Sequence, residues 1–257
     1  MVIVIEKNMD GTKKMVDDVT IMIKTFQRPD CLERCVKSIR KFYPDIQISI
    51  ADDSLVPQDA VYHNMIIYPL PFDVGLSAGR NFLLDKVQTP YILIVDDDFV
   101  FTKETDLHKM KELLISDKLD ILAGSVKIVP NSNKITKYEH LLKLERGKLY
   151  YVKKHKGLTK SGLKMYDVVL NFFMAKTDSI KKVRWDDDLK IVEHTDFFLR
   201  AKKHNLKIAH CPDIVINHYK NNKERPDYDK YRYRHLHFEK IFKDKHKINE
   251  IVVNYTG

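Results

Sequence analysis

Short apolar runs alternate with amphipathic segments along the first half of this chain. The runs at 19–24, 47–54 and 65–68 are rich in isoleucine, valine and methionine, and this composition favours strands. Between the first two, apolar residues recur at helical spacing through 29–43, with Asp30 as the predicted N-cap. The order strand, helix, strand predicts a parallel crossover and therefore an α/β fold.

The same alternation continues to residue 218 and predicts a mostly parallel, twisted sheet flanked by helices. Further helices are expected up to residue 87, at 103–115 and from 191, and further strands at 91–95, 120–128, 168–175, 207–210 and 213–218. The basic, glycine-punctuated stretch 130–164 predicts a loop-rich insertion with a hairpin at 148–152. Residues 1–18 predict a peripheral strand and turn. The whole chain, 1–257, is expected to form a single domain.

Three carboxylates, Asp96, Asp97 and Asp98, directly follow the apolar strand 91–95. Ligands of open α/β sheets bind beyond the carboxyl ends of the strands, so these acids would lie at a binding edge. Adjacent carboxylates repel one another and are tolerated where a cation neutralises them or solvent reaches them. Oxygen ligands of this kind suit Mg²⁺ or Mn²⁺, and a solvated acidic turn is the alternative that this stretch leaves open.

A second predicted strand, 47–54, also ends in paired acids, Asp52 and Asp53. Because the carboxyl ends of parallel strands meet at one edge of a sheet, two acidic ends favour a binding site over a simple turn.

Glycines precede and open the next predicted helix. Gly75 and Gly79 would allow a close approach of the backbone, and the free N–H groups at a helix start favour phosphate. Arg80 and Asn81 add hydrogen-bond donors nearby. Glycine spacing alone is weak evidence, and its value lies in its position between two acidic strand ends.

The second half of the chain contains further candidate groups. Glu193, His194 and Asp196 crowd the first turn of a predicted helix, where they serve either as helix-capping charges or as a reactive site. His218 follows a predicted strand and could supply an imidazole ligand to a metal ion. Asn171 interrupts an apolar run, either as a satisfied core polar group or as a substrate contact.

Composition narrows the class of protein. Hydrophobic residues at 44% and charged residues at 32% are typical of soluble globular proteins, and no apolar run reaches the 18 or so residues of a membrane-spanning helix. The 3 cysteines are too few and too scattered for a disulfide framework or a zinc site. The N-terminus has no basic leader before its short apolar run, so we expect no secretory signal and a cytoplasmic location.

The formal net charge of +9 and a pI near 9.2 favour anionic partners such as nucleic acid, anionic membranes or phosphorylated ligands. A lysine-rich surface that serves only solubility is the alternative. Basic residues concentrate at 134–164 and 219–247, and the second segment predicts a mobile loop followed by a basic, aromatic helix.

Several motifs occur together in a characteristic order. They are Thr25-Phe26 with Arg28, SIRKFYP at 38–44, IADDS at 50–54, AGRN at 78–81, VDDDFVF at 95–101, NFF at 171–173 and HTDFF at 194–198. In this combination the chain resembles the GT-A glycosyltransferases, and specifically the β-1,4-N-acetylgalactosaminyltransferase group, with broader similarity to the family 2 inverting enzymes. The resemblance runs from about residue 20 to residue 218.

The resemblance implies a metal-dependent inverting glycosyltransferase. Such an enzyme would move GalNAc, GlcNAc or Gal from a UDP-sugar donor to a hydroxyl of a glycan or glycolipid acceptor, with Mn²⁺ or Mg²⁺ as cofactor. It also implies the GT-A fold, with a Rossmann-like nucleotide-sugar-binding half at about 19–128 and an acceptor-binding, catalytic half at 129–218. Residues 219–257 would then form a basic C-terminal tail.

The resemblance also implies roles for individual residues. Uridine would be held by Thr25, Arg28 and Asp52 or Asp53, the base or diphosphate by Arg80, the ribose or a metal-bound water by Asp96, and the metal by Asp98 with His218 as a late ligand. The nucleotide-sugar set is thus Thr25, Arg28, Asp52, Asp53, Gly75, Arg80, Asn81, Asp96 and Asp97, and the metal set is Asp98, His218 and Asp96.

An inverting transfer also requires a base for the acceptor hydroxyl. Family 2 enzymes commonly supply the aspartate of a Glu-Asp pair at a helix start, and the corresponding pair here is Glu193-His194. Three candidates follow: Asp196, His194 and Glu193. Asp196 ranks first because a carboxylate accepts a proton near neutral pH without tuning, whereas His194 must be kept neutral and oriented.

Two other functions compete with this interpretation. A nucleotidyltransferase acting on a sugar phosphate would also place carboxylates and a metal beside phosphates. A non-enzymatic basic module would bind nucleic acid or anionic membrane through charge alone. Because we favour the glycosyltransferase, we expect no nucleic-acid partner and a peripheral contact of 219–247 with the inner, anionic face of a membrane.

Overall fold

The computed structural model describes residues 16–59, 61–130, 132–220 and 226–255, and most of the strand and turn predicted for 1–18 falls outside these ranges. The helices are α1 (Pro29–Phe42), α2 (Leu76–Lys86), α3 (Leu107–Ser116), α4 (Thr177–Val183), α5 (Glu193–Lys203), α6 (Pro226–Arg232) and α7 (His235–His246). The strands are β1 (Val19–Thr25), β2 (Gln47–Asp52), β3 (Met65–Pro69), β4 (Tyr91–Asp96), β5 (Phe99–Val100), β6 (Ile121–Val129), β7 (Ile135–Thr136), β8 (Leu141–Glu145), β9 (Lys148–Val152), β10 (Lys164–Tyr166), β11 (Phe173–Lys176), β12 (Ile208–Tyr219) and β13 (Glu250–Tyr255).

The main sheet has the strand order β10-β12-β6-β11-β4-β1-β2-β3, and β5 and β7 pair with β12 and β6. Strands β4, β1, β2 and β3 are mutually parallel, which confirms the crossovers predicted from the first half of the sequence. Strand β11 enters antiparallel between β4 and β6, so the second half of the sheet is mixed. The fold is the predicted α/β arrangement with a parallel N-terminal part.

Helices cover both faces of the main sheet. Along β4, Ile92 and Ile94 belong to a core cluster that includes residues of α2, α4, α5 and α7. Leu93 and Val95 belong to a second cluster that includes residues of α1 and α3. This alternation explains why the strand is apolar on both faces, as in a parallel sheet that is buried on both sides.

The acidic strand ends meet at one edge of the sheet. In the parallel registers, Thr25 of β1 lies opposite Asp52 of β2, and Lys24 lies opposite Asp96 of β4. Strand β1 therefore lies between the two acidic ends, and the predicted convergence of these ends is confirmed.

Two boundaries differ from the prediction. Helix α1 begins at Pro29 with Arg28 as N-cap, because proline fits the first helical position and moves Asp30 into the first turn. The strand predicted at 168–175 is shorter: β11 starts at Phe173, because Val168 bridges to His140 instead of continuing the main sheet.

The last strand and the insertion also assemble differently from the expectation. The strands predicted at 207–210 and 213–218 are one strand, β12, with an irregular register between His210 and Val215. The hairpin predicted in the insertion is present as β8 and β9, and β13 adds to it as a third strand. The insertion is thus a small sheet joined to the C-terminus.

The C-terminal segment contains the predicted basic, aromatic helix, divided into α6 and α7, and it packs on the body of the protein. Helix α7 buries Phe238 and Phe242, and burial of a phenylalanine side chain stabilises a fold by roughly 1.5–3 kcal/mol. Strand β13 pairs in parallel with β9. No helix in the described part of the chain has both the length and the apolar character to cross a bilayer.

Candidate active site at the strand ends

The three acids after β4 have separate partners. The carboxylate of Asp96 accepts a hydrogen bond from Nη2 of Arg80 at 3.1 Å. Asp97 is fully buried and accepts from the Thr25 hydroxyl at 2.7 Å. Asp98 lies 3.3 Å from Nε2 of His218. Of the three, Asp98 is the acid with an imidazole partner, as the metal prediction required.

Arg28 forms ion pairs with two of these acids. Its guanidinium pairs with Asp97 and, through Nη1 at 2.8 Å, with Asp98. Burial and the neighbouring carboxylate of Asp98 raise the pKa of Asp97 to about 6 although Arg28 opposes the rise. Burial also acts to raise the pKa of Asp98, but the hydrogen bond from His218 and the charge of Arg28 outweigh it and lower the value to about 2. Asp98 is therefore an anion across the neutral pH range.

A divalent ion would find two protein ligands here, Asp98 and His218. The carboxylate and the imidazole are both suitable donors for Mn²⁺, and Mg²⁺ or Mn²⁺ commonly completes its shell with water and phosphate oxygens. Asp96 faces Arg80 instead, and the described residues contain no group of three or more acids, histidines or cysteines arranged around one metal position. The donor set fits an ion that also binds a phosphorylated ligand.

The two acids at the end of β2, Asp52 and Asp53, have different roles. Asp52 is buried and accepts hydrogen bonds from the backbone N–H groups of Ser54 and Gln58 at 2.9 and 2.8 Å. Asp53 pairs with Lys24 and accepts from the Gly75 N–H at 2.9 Å, and it lines a pocket at the strand ends. Asp52 therefore shapes the following loop, and Asp53 is the acid at the pocket.

Lys24 is a site residue that the sequence interpretation missed. It is buried on β1 and donates to the carbonyl oxygen of Thr25 at 2.8 Å as well as to Asp53. A signal was present, because lysine is almost never buried without a charged partner and Lys24 stands in an otherwise apolar run. A Cβ on Gly79 would stand 2.6 Å from Cε of Lys24, so Gly79 leaves room for this side chain and not for a phosphate.

We expect Gly79→Ala to destabilise the protein, although alanine normally stabilises a helix interior by about 1 kcal/mol relative to glycine. The added methyl group would meet the Lys24 side chain, whose ammonium is held by Asp53, and such overpacking costs roughly 1–3 kcal/mol. Urea denaturation would measure the change. In a Lys24→Ala background the same substitution should be neutral or stabilising, and an equal cost in both backgrounds would contradict the contact.

The other residues predicted from the glycine segment serve the fold. The Gly75 N–H bonds to Asp53 and the Leu76 N–H bonds to the Lys190 carbonyl at 3.0 Å, so these two amides are occupied within the protein. Asn81 is buried and bonds to the backbone of Trp185 through both ends of its amide. Asn81 thus fastens α2 to the loop before α5, contrary to its predicted place in nucleotide binding.

Arg80 joins the two halves of the site. Its Nη1 donates to Glu193 at 2.7 Å and its Nη2 to Asp96 at 3.1 Å, and its side chain is 4% exposed. Both ends of the guanidinium are occupied by carboxylates, so Arg80 holds Glu193 and Asp96 in place. The predicted direct contact with the base or diphosphate is not supported by this geometry.

A pocket at the strand ends, the strand-end pocket, is bounded on one side by Thr25, Arg28, Asp53 and Gly75. Residues of and after α6 close its other side: Tyr228, Tyr231, Arg232 and Arg234. The remaining volume is about 60 Å³, below the 300–1,000 Å³ of typical ligand pockets.

Aromatic and ionic contacts hold α6 over the strand-end pocket. The ring of Tyr231 meets Phe26 and Phe72 at centroid distances of 5.0 and 5.7 Å. Nη1 and Nη2 of Arg234 donate to the two carboxylate oxygens of Asp73 at 2.8 and 2.7 Å. These residues were not among the predicted site residues because their contacts span more than 150 positions in sequence.

A second opening, the histidine cleft, has a volume of about 320 Å³. Its lining includes Asp96, Asn171, His194 and His218. Asp98 contacts Arg28 of the strand-end pocket and His218 of the histidine cleft, so it lies between the two spaces. A ligand that extends from the pocket into the cleft would pass Asp98.

The three candidate bases on α5 have different environments. Glu193 is buried and paired with Arg80. Asp196 is fully buried and bonds to Arg200 and His246, each at 2.8 Å, so its predicted first rank as base is not supported. His194 lines the histidine cleft. Residues two apart on a helix point about 200° away from each other, and this is why His194 faces the cleft when Asp196 faces the protein interior.

His194 is held as a neutral ring. Its Nδ1 lies 2.8 Å from Oδ1 of Asn171, and its Nε2 is buried with no hydrogen-bond partner among the described residues. Burial is the main cause that lowers the pKa of His194 to about 4, and the charge of Arg80 adds to this effect. Glu193 and a hydrogen bond with the Val169 backbone oppose it. At neutral pH the ring is therefore uncharged, and one of its two nitrogens keeps a lone pair.

Comparison with known proteins gives the same family. Residues 20–184 match the Glycosyl transferase family 2. Mouse β-1,4 N-acetylgalactosaminyltransferase 1 is 38% identical over 208 residues, which are 78% of this chain and 38% of that protein, and the human protein matches to the same extent. Mouse β-1,4 N-acetylgalactosaminyltransferase 2 is 35% identical over 210 residues, 80% of this chain and 40% of that protein. This chain therefore spans less than half the length of these relatives.

Solved structures support the fold. The crystal structure of S. aureus TarS residues 1–349 in complex with UDP-GlcNAc superposes with a TM-score of 0.59 at 16% identity, covering 85% of this chain and 64% of that one. The same TarS fragment in complex with UDP superposes with a TM-score of 0.58 at 15% identity, covering 87% and 73%. The fold is thus the GT-A fold that the sequence motifs predicted, and the chain belongs to Glycosyl transferase family 2.

Proposed function

We propose that this chain is an inverting glycosyltransferase that moves a sugar from a UDP-sugar to a hydroxyl of a glycan or glycolipid acceptor. The observation that carries the proposal is the position of Asp98, which is bonded to Arg28 of the strand-end pocket and to His218 of the histidine cleft. A nucleotide in the pocket and a sugar in the cleft would place the diphosphate beside Asp98. GalNAc is the first candidate sugar because the relatives at 35–38% identity are N-acetylgalactosaminyltransferases by name.

The donor would bind across both spaces. Thr25, Arg28 and Asp53 line the strand-end pocket and are the contacts available to uridine. Because the pocket has a volume of about 60 Å³, α6 has to move aside for a nucleotide to enter. In this arrangement the N-terminal half of the sheet binds the donor, and the histidine cleft, formed mainly by the second half, receives the acceptor.

A divalent ion, Mn²⁺ or Mg²⁺, held by Asp98 and His218 would offset the charge that develops on the departing diphosphate. Arg28 supplies positive charge at the same place, because it contacts Asp97 and Asp98 at the edge of the pocket. Arg28 shares its single positive charge between Asp97 and Asp98, so negative charge remains for a bound cation.

The transfer is a single displacement. The acceptor oxygen forms a bond to the anomeric carbon from the face opposite the diphosphate, and the bond between that carbon and the β-phosphate oxygen breaks with its electron pair going to UDP. The proton of the acceptor hydroxyl passes to Nε2 of His194, and the imidazolium later releases it to solvent. The products are UDP and a glycoside of inverted configuration.

The proposal predicts that UDP-sugars raise the melting temperature of the protein. UDP-GalNAc, UDP-GlcNAc, UDP-Gal, a GDP-sugar and a CMP-sugar would be compared by thermal shift with Mn²⁺ and with EDTA. A ligand at 100 times its dissociation constant stabilises the folded state by about 2.7 kcal/mol. We expect this stabilisation for UDP-sugars with Mn²⁺. If none of the nucleotide sugars stabilises the protein, the result contradicts the proposed function.

Variants test the metal site in the same assay. Asp98→Asn should remove the part of the thermal shift that depends on Mn²⁺. Asp213→Asn is the matched control, because Asp213 lies on β12 with His218 but is 72% exposed and pairs with Lys109. An unchanged Mn²⁺ dependence in Asp98→Asn would reject Asp98 as the metal ligand.

Contact of residues 219–247 with an anionic membrane remains a prediction. Tyr233, in the turn between α6 and α7, and Leu236, in the first turn of α7, support it, since they are 77% and 68% exposed. The basic residues Arg232 and Lys240 lie within four residues of Leu236 in sequence.

A further inference from the structure

Asn171 fixes the orientation of the His194 imidazole. Its Oδ1 lies 2.8 Å from Nδ1 of His194. Both residues line the histidine cleft, and no described residue bonds to Nε2 on the other side of the ring. The two imidazole nitrogens therefore have different surroundings: Nδ1 is bonded to an amide oxygen, and Nε2 is buried without a hydrogen-bond partner among the described residues.

The chemistry of the amide determines which nitrogen carries the proton. An amide oxygen can only accept a hydrogen bond, so Nδ1 of His194 must be the donor. A neutral imidazole has a single N–H, and this leaves the lone pair on Nε2. We propose that Asn171 is a positioning residue that holds His194 in the Nδ1–H tautomer, so that the lone pair lies on Nε2, the nitrogen that accepts the proton in the proposed reaction.

The surrounding structure holds both partners in place. Tyr138 and Phe198 contact the His194 ring at centroid distances of 5.3 and 5.0 Å and restrict its rotation. The segment that carries Asn171 is anchored on both sides: Val168 bridges to His140, and the Phe172 carbonyl accepts from the Gly124 N–H at 3.0 Å. This anchoring explains why the apolar run departs from regular strand geometry before β11.

Several charged or titratable groups surround the ring. Arg80 and Glu193 act on its charge directly, and Arg80 opposes protonation. The remaining groups at the cleft that can carry charge or titrate are Asp96, His218, Lys220 and Tyr138. Asn171 itself is uncharged, so it can fix the tautomer without adding a carboxylate that would favour the protonated ring.

Nuclear magnetic resonance tests the tautomer without any substrate. In protein with ¹⁵N-labelled histidine, long-range proton–nitrogen correlations distinguish a protonated from an unprotonated ring nitrogen. The His194 signals are assigned as those missing from His194→Gln. We expect a protonated Nδ1 and an unprotonated Nε2 at pH 7, and the reverse pattern would overturn the proposal.

Kinetic measurements test the effect of this tautomer on the reaction, and this test rests on the proposed function. The probe is the release of UDP, with water as acceptor, from whichever of UDP-GalNAc, UDP-GlcNAc or UDP-Gal stabilises the protein most. Asn171→Leu has a similar volume but no acceptor for Nδ1–H, and kcat should fall roughly 10- to 100-fold, the range for loss of an orienting partner. Donor-induced thermal shifts should persist, since Asn171 is not in the strand-end pocket.

Asn171→Asp separates positioning from a merely structural role. The carboxylate still accepts from Nδ1–H, so kcat near neutral pH should stay within a few-fold of that of the unmodified protein. Its charge should raise the pKa of His194, and the acidic limb of the kcat–pH profile should move up by about 1–3 pH units. A limb that does not move would contradict the proposal.

Gln88→Leu is the matched control for an amide-to-leucine change, because Gln88 is exposed and precedes the amino end of β4, away from the site. Unchanged kcat and tautomer in Asn171→Leu would overturn the role of Asn171 while the donor-induced shift still supported the proposed function. If no UDP-sugar stabilises the unmodified protein, the proposed function fails, and the resonance experiment still decides the tautomer.

Discussion

Replacing His194 with glutamine should lower kcat for sugar transfer by about 10²- to 10⁴-fold, the usual contribution of a general base. Glutamine keeps a polar side chain of similar length, but its amide cannot take a proton from the acceptor. Among the three residues that the sequence nominated, His194 lines the histidine cleft, Glu193 is paired with Arg80, and Asp196 is bonded to Arg200 and His246. The loss should therefore appear in the chemical step and not in donor binding.

The measurement is UDP release at saturating donor, combined with donor-induced thermal shifts of the same variant. His204→Gln is the matched control, because His204 is exposed at the other end of α5. We expect the control to retain full activity and both variants to show the donor-induced shift of the unmodified protein. A kcat for His194→Gln within about 3-fold of the starting value would exclude His194 as the base, since a general base contributes far more.

Replacing Asp196 with asparagine should destabilise the protein by about 3–5 kcal/mol, the cost of removing one partner from a buried charge cluster. Its carboxylate bonds to His246 and Arg200 at 2.8 Å and lies 3.0 Å from Nζ of Lys245. These contacts join α5 to α7. Asparagine is neutral, and its amide N–H₂ would face donors where the carboxylate accepted hydrogen bonds.

The effect should depend on pH in a defined direction. Burial acts to raise the pKa of Asp196, but the hydrogen bond from His246 and the charges of Arg200 and Lys245 outweigh it and lower the value to about 2. A carboxylate whose pKa is lower in the folded state stabilises that state above its unfolded pKa, near 3.8, and loses this contribution as the pH falls toward 2. The difference between the two proteins should thus be full at pH 6 and shrink below pH 4.

Urea denaturation at several pH values would measure this difference. Asp188→Asn is the control, because Asp188 is an exposed acid in the loop before α5, and exposed substitutions usually change stability by less than about 0.5 kcal/mol. Equal stability of Asp196→Asn and the unmodified protein at pH 6 would show that the cluster does not hold the two helices together.

The sequence predicted the acidic edge of the sheet correctly because the strands and the helix that form this edge are each indicated by short stretches of sequence. The buried strand that ends at Asp96 and the parallel crossover through α1 both follow from short-range periodicity, and the structure places the acidic ends on either side of β1. The choice between His194 and Asp196 was also open to local reasoning. Two positions on a helix that are 200° apart cannot both face one cleft, and the ranking by acidity alone passed over this geometry.

Other parts of the site depend on contacts between distant segments. The pairing of Asp73 with Arg234 and the position of Tyr231 against Phe26 join parts of the chain that no periodicity connects. For the same reason the basic, aromatic composition of the C-terminal segment predicted a helix but not its position over the strand-end pocket. Composition describes which contacts a segment can make, but it does not identify the partner.

Helix α6 and a nucleotide would compete for the same volume, and this competition sets a limit on measured affinity. If only a fraction of the molecules have α6 displaced, the apparent dissociation constant equals the intrinsic constant divided by that fraction. The ion pair between Asp73 and Arg234 then stabilises the fold and also adds to the free-energy cost of binding a nucleotide. A weak affinity for free UDP would therefore measure the cost of opening the protein rather than a poor fit of the nucleotide.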